Sequence, residues 1–178
     1  QILAPLEIQP SEMVAKAAAA LLLLSALSSP RAGVAETLQE CPGSALFASS
    51  ISGTKYCNLG KKTFPQCYTD CMAISFLMPC LMRAEDSNLM FSNVTDAEHI
   101  WTGHYQNPGS TEVDEGWKWL SGCPTTLSNW SPGQPDDALC RDEKVAVVSR
   151  EDGGGWRDVE ASRTDVSCVC ESRSTGHG

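Results

Sequence analysis

The chain has 178 residues, with 13 Lys plus Arg against 22 Asp plus Glu, a formal charge of −9. Much of the affinity for a nucleic acid comes from neutralising phosphates, and so acidic a surface excludes that partner. With 42% hydrophobic and 20% charged residues, the composition is globular, and the length suits one core of ordinary size.

Residues 1–35 form a leader without cysteine. Residues 13–35 open with Met13-Val14-Ala15-Lys16, continue through a run of Ala and Leu, and end in the small residues Ala32-Gly33-Val34-Ala35, the grammar of a targeting segment. We read residues 14–29 as a retained anchor helix. A helix capped at Ser11 and ended near Pro30 spans ~27 Å, enough for a thin bilayer. Ala17 to Ala20 would let a second helix approach closely, as helices in lipid do.

Residues 36–178 form the second unit. All nine cysteines fall between Cys41 and Cys170, which places this unit in an oxidising, non-cytoplasmic compartment. Residues 38–56 read as a hairpin or loop and residues 63–72 as a short amphipathic helix. Residues 72–82 are a long apolar stretch, and residues 96–104 begin a second helix or a strand. Residues 109–155 carry the Gly, Pro, Asp, Ser and Trp of a long ordered loop. Val145, Val147 and Val148 mark a strand, and Cys168-Val169-Cys170 the last one. The fold class is α+β.

The order of several short motifs carries a resemblance. They are Cys41-Pro42, Tyr56-Cys57, Phe64 seven residues before Cys71, Ala84-Glu85 and Trp101-Thr102-Gly103-His104. Gly116-Trp117-Lys118-Trp119 with Ser121-Gly122, Asn129-Trp130, Gln134-Pro135-Asp136, Gly155-Trp156-Arg157-Asp158 and Cys170-Glu171 follow. Over residues 41–171 the chain resembles the C-type lectin-like domain family. That resemblance implies two short helices, two small antiparallel sheets and a long loop region, stabilised by disulfides. It implies a Cys41 to Cys57 bridge in the N-terminal hairpin and a Cys71 to Cys170 bridge from the first helix to the last strand. The family's second bridge is missing at both ends, where Lys144 and Ala161 stand. Cys123 with Cys140 is expected to close the long loop instead, and Cys67 with Cys168 to form a parallel staple. Cys80 is left as a buried odd thiol.

In calcium-binding members of this family the loop supplies oxygen ligands to the ion, and the ion holds vicinal sugar hydroxyls. The resemblance assigns that role here to Gln134, Asp136, Asp142 and Asp158, with calcium as the candidate cofactor and the Gln-Pro-Asp motif pointing to galactose-type sugars. Arg157 alters the site, because it stands where the family has Asn. Its guanidinium is expected to take the place of the metal and to pair with Asp136 or Asp158. Trp130 is the nearest ring for stacking on a sugar, against a plain packing role.

Asn93-Val94-Thr95 and Asn129-Trp130-Ser131 are glycosylation sequons. The chain has no His-Glu-x-x-His and no Gly-x-Ser-x-Gly, and adjacent acids such as Asp114-Glu115 read as solvated loop charge, so no enzyme is expected. The leading functional reading is a membrane-anchored interaction module, an accessory subunit of a membrane protein complex on the thylakoid-lumenal or extracellular side. The alternatives are a secreted or cell-surface calcium-dependent galactose-type lectin and a receptor for a soluble protein.

Overall fold

The computed structural model describes residues 41–42, 46–50, 53–138 and 142–172. The leader, with its expected helix over residues 14–29, lies outside the described residues. Among those described, no helix is long and apolar enough to cross a membrane.

Strand β1 (Leu46–Ala48) pairs antiparallel with β2 (Lys55–Lys61), and Cys41 is bonded to Cys57 beside them. Helix α1 (Phe64–Ala73) follows, opened by a capping box in which Thr63 accepts from Gln66 N–H while the Gln66 side chain accepts from Thr63 N–H. Its buried Cys67 and Cys71 lie four residues apart, about one turn or ~6 Å along the axis. On β8 (Ser167–Ser172), Cys168 and Cys170 lie two apart on one face, a step of ~6.7 Å. The two steps match, so Cys67 bonds Cys168 and Cys71 bonds Cys170, each at a Cα separation of 5.4 Å.

The short strand β3 (Phe76–Leu77) pairs with β8, and the chain then enters α2 (Ala84–Asn93). The Asp86 carboxylate receives the N–H groups of Met82 and Arg83 at the start of this helix, where the backbone leaves donors unpaired. Arg150 holds the other end. Its guanidinium donates to the carbonyls of Phe91, Val94 and Ala97 and lies 4.6 Å from the Phe91 ring centre.

Four more strands complete the framework: β4 (His99–Gln106), β5 (Trp117–Trp119), β6 (Val145–Ser149) and β7 (Gly155–Val159). The sheet order is β1-β2-β8-β4-β6-β7, with β3 on β8 and β5 on β4. Two separate antiparallel sheets are therefore not what forms. A parallel contact of β4 with β8, Ile100 opposite Ser167, joins both halves into one mixed sheet.

One part of the core gathers Trp101, Val145, Val147 and the cystines under α1, and Trp101 Nε1 donates to the Lys62 carbonyl at 2.8 Å. The other part places Met90, Phe91 and Val94 of α2 against Ile100, Val148 and Trp156. Gly154, at φ +92°, touches α2 so closely that a Cβ there would come within 2.8 Å of the Ser87 Cβ. The turn before β7 is thereby fixed.

One expected disulfide is corrected. Cys123 bonds Cys80, with Cα atoms 6.2 Å apart, and not Cys140, which lies outside the described residues. The extended chain after β3 runs past the turn that follows β5, so Cys80 is no odd thiol.

Candidate functional site

The long loop is fastened to β7 by its own backbone. Trp156 N–H donates to the Asn129 carbonyl at 2.8 Å, and Ser131 N–H donates to the Trp156 carbonyl at 2.9 Å. The loop then turns through a cis Gln134-Pro135 bond and comes back onto Asp158. Gln134 Oε1 accepts from Asp158 N–H at 3.2 Å, and the Asp158 carboxylate accepts from Asp136 N–H at 3.0 Å and Asp137 N–H at 2.8 Å. On the far side, Glu143 Oε2 accepts from Ala138 N–H at 2.8 Å, while Glu143 N–H donates to Asp137. Carboxylate oxygens of Asp136, Glu143 and Asp158 all lie within 4.8 Å of one another.

Three of the four expected ligand residues, Gln134, Asp136 and Asp158, thus meet. Asp142 does not join the acid cluster, and Glu143 takes the place expected for it. Asp142 is exposed at φ +60°, a left-handed conformation that Asp tolerates better than Glu, so it makes the turn and its neighbour faces the other acids. Two adjacent acids before β6 were the signal; choosing between them needed the turn.

Arg157 also departs from expectation. Its guanidinium engages Asp152 through both Nε and Nη2, the latter at 2.7 Å, with Glu151 at 3.6 Å. It does not take the metal's place by pairing with Asp136 or Asp158. Neighbours on a strand point to opposite faces, so burying Asp158 turns Arg157 outward to the acids of the preceding turn. Arg157 in turn holds the Asp152 carboxyl down at about 2.

The electrostatics suit a hard cation. Burial, and then the negative field of Asp158, Asp136 and Asp137, push the Glu143 carboxyl above its ordinary range. Burial is also the main cause that raises Asp158, with a contribution from Asp136. These carboxylates repel one another, and a divalent ion relieves that. Calcium takes about six to eight oxygen ligands, and the three carboxylates with the Gln134 amide oxygen are oxygen donors throughout. The residues fit calcium with one family ligand lost, the Asn that Arg157 replaces.

Beside this cluster lies a group of rings. His104 stacks on Trp119 with centroids 4.5 Å apart and also meets Trp117, Trp130 and Trp156 at 5.2 to 5.4 Å. Burial drives its imidazole down to about 4, so it is neutral at physiological pH. Trp130 packs on Trp117 at 4.7 Å and on Trp156 at 5.8 Å, which makes it a packing residue of the loop that keeps only partial exposure.

No family model matches the chain. A mannose-binding protein of Gallus gallus is 42% identical over 53 residues, which is 30% of this chain and 19% of that protein. The fold is similar to the C-type carbohydrate-recognition domain of cow CD23, solved in the presence of a GlcNAc2Man3 oligosaccharide. The TM-score is 0.61 and the identity 21%, over 77% of this chain and 98% of that one. The described residues have the C-type lectin-like fold. The relatives and structural neighbours are C-type lectins, which are binding modules and not enzymes. A calcium-independent C-type lectin of Saxidomus purpuratus, SPL-2, has the same fold at TM-score 0.57 and 19% identity, over 75% of this chain and 94% of that one. The fold thus occurs in a protein that does not depend on the ion. The matched segment spans under a fifth of the mannose-binding protein, so its whole-protein activity does not carry over with the domain.

Proposed function

We propose that the domain binds carbohydrate through a calcium ion held by Asp136, Glu143, Asp158 and Gln134. The observation that carries this reading is the direction of Arg157: its charge is spent on Asp152 and Glu151, and the three acids face one another. A bound calcium would supply coordination positions for vicinal hydroxyls of a sugar. Gln134-Pro135-Asp136 favours galactose-type hydroxyl geometry, by resemblance to lectins with that motif. The disulfides support a secreted or cell-surface location.

Calorimetry with calcium and then galactose tests this. Calcium binding is expected for the wild type and lost in Asp158→Asn, with galactose heat seen only when calcium is present. A folded wild type that binds no calcium would overturn the reading.

A second reading, the accessory interaction module, is favoured by a different surface. Exposed Tyr68, Met72, Met82 and Leu120 line one cavity of about 730 Å3, with Met78 and the half-buried acid Glu171 among its walls. Methionine adapts its shape to a partner's side chains. A natively purified complex that Met72→Asp with Met82→Asp dissociates would support it; a monomeric native protein would count against it. The membrane part of that reading depends on residues 14–29, and nothing described favours a thylakoid lumen over the extracellular side.

A further inference from the structure

The two glycosylation sequons occupy opposite environments. Asn93 is the last residue of α2, exposed, with Ser92, Thr95 and Asp96 exposed around it and only Val94 turned into the core. Its Nδ2 donates one hydrogen to the Leu89 carbonyl at 2.9 Å. An amide nitrogen has two hydrogens, so a glycan can replace the other while this bond persists. The helix end itself is held by Arg150 on the Phe91, Val94 and Ala97 carbonyls, which leaves the Asn93 side chain no task in the fold that a sugar would disturb.

Asn129 differs at each point. It is half-buried, its Nδ2 donates to the Gly154 carbonyl at 3.0 Å, and its own carbonyl receives Trp156 N–H. Ser131, the hydroxyl residue of that sequon, is buried and donates to Asp152 at 2.8 Å. Its Oγ lies 2.5 Å from where a Cβ on Gly155 would stand. A glycan on Asn129 would have to enter the seam between the long loop and the turn before β7.

We propose that Asn93 is an N-glycosylation site of this chain and that Asn129, in the folded protein, is not. The donor class is a lipid-diphosphate-linked oligosaccharide. The Asn93 Nδ2 forms a bond to the anomeric carbon, the bond from that carbon to the diphosphate oxygen breaks, Nδ2 gives up one proton, and the lipid diphosphate leaves. No electrons are exchanged. Four disulfides among the described residues place the domain in the kind of compartment where this transfer occurs.

The test uses the full chain made in a eukaryotic host, with the disulfide-bonded pool selected by its resistance to alkylation before reduction. Peptide N-glycosidase in heavy-oxygen water converts each glycosylated Asn to labelled Asp, read by peptide mass. The expected result is label at residue 93, none at residue 129, and an electrophoretic shift lost in Asn93→Gln and in Thr95→Ala but kept in Thr95→Ser. An unlabelled residue 93 in that pool, label at residue 129, or recovery of the chain with free thiols only would each overturn the proposal.

Discussion

The two ends of the domain are held by different means. At one end, α1 is bolted to β8 by two parallel cystines, with a third closing the hairpin next to them. At the other, the loop that presents Gln134, Asp136 and Glu143 is held by backbone bonds to β7, by the rings around His104, and by Asp158 receiving two loop N–H groups. Covalent bracing constrains the end where the chain closes on itself, while the end that gathers the acids is built from groups whose charge and hydration an ion would change. Structure is thus separated from response.

The strongest way to break this comparison is to remove the bracing. Replacing Cys71 and Cys170 by Ala is expected to cost about 2.5 kcal/mol, because Cys67–Cys168 still closes the long loop and the lost bridge closes only the small ring between the two cystines. Denaturant unfolding reads this, and a loss under about 1 kcal/mol would show that the neighbouring cystine suffices alone.

Glu171 comes next. Burial raises its carboxyl from 4.5 to about 8, so the folded protein binds a proton that the unfolded chain has released. Stability from this group is full below about pH 4.5 and is lost as pH rises through about 8. Glu171→Gln keeps a neutral acceptor for the Cys80 N–H and should gain on the order of 2 kcal/mol relative to wild type at pH 9, with little difference at pH 4. Equal pH slopes in chemical denaturation would sink the assignment.

His104 gives a smaller effect of opposite sign. Its pKa falls from 6.5 to about 4 on folding, so the unfolded chain takes up the proton first and stability drops as pH falls through that interval. His104→Phe retains ring stacking and should flatten the profile of unfolding free energy between pH 6.5 and 4 by about 1 kcal/mol or more, read by denaturant unfolding.

The smallest expected effect sharpens the comparison most. Arg157→Ala should leave calcium affinity within about twofold, because the guanidinium points at Asp152 and not into the cluster. A gain of tenfold or more would mean that Arg157 does compete with the ion.

Much of this was legible in the sequence, for reasons that can be stated residue by residue. Cys67 and Cys71 at helical spacing, with Cys168 and Cys170 at strand spacing, already suggested a double staple, because local periodicity determines which side chains share a face. The helix over residues 63–72 and the strand over residues 144–149 were readable for the same reason. Cys80 with Cys123 was not, since their partnership depends on where an extended segment crosses a turn 43 residues later. Arg157 was misread although alternation along β7 sets it opposite Asp158. A substitution at a ligand position drew attention to its charge and away from its direction. Asp142 was preferred to Glu143 by counting, whereas the conformation of the turn decided the matter.

The double staple also bears on mechanical load. Tension applied to the two chain ends passes from α1 to β8 through Cys67–Cys168 and Cys71–Cys170, leaving the intervening chain outside the force path. The two bonds overlap, so the 99 residues from Cys71 to Cys170, about 330 Å of extended length, stay in reserve until both are cut. A domain loaded in this way keeps its shape while its ends are pulled.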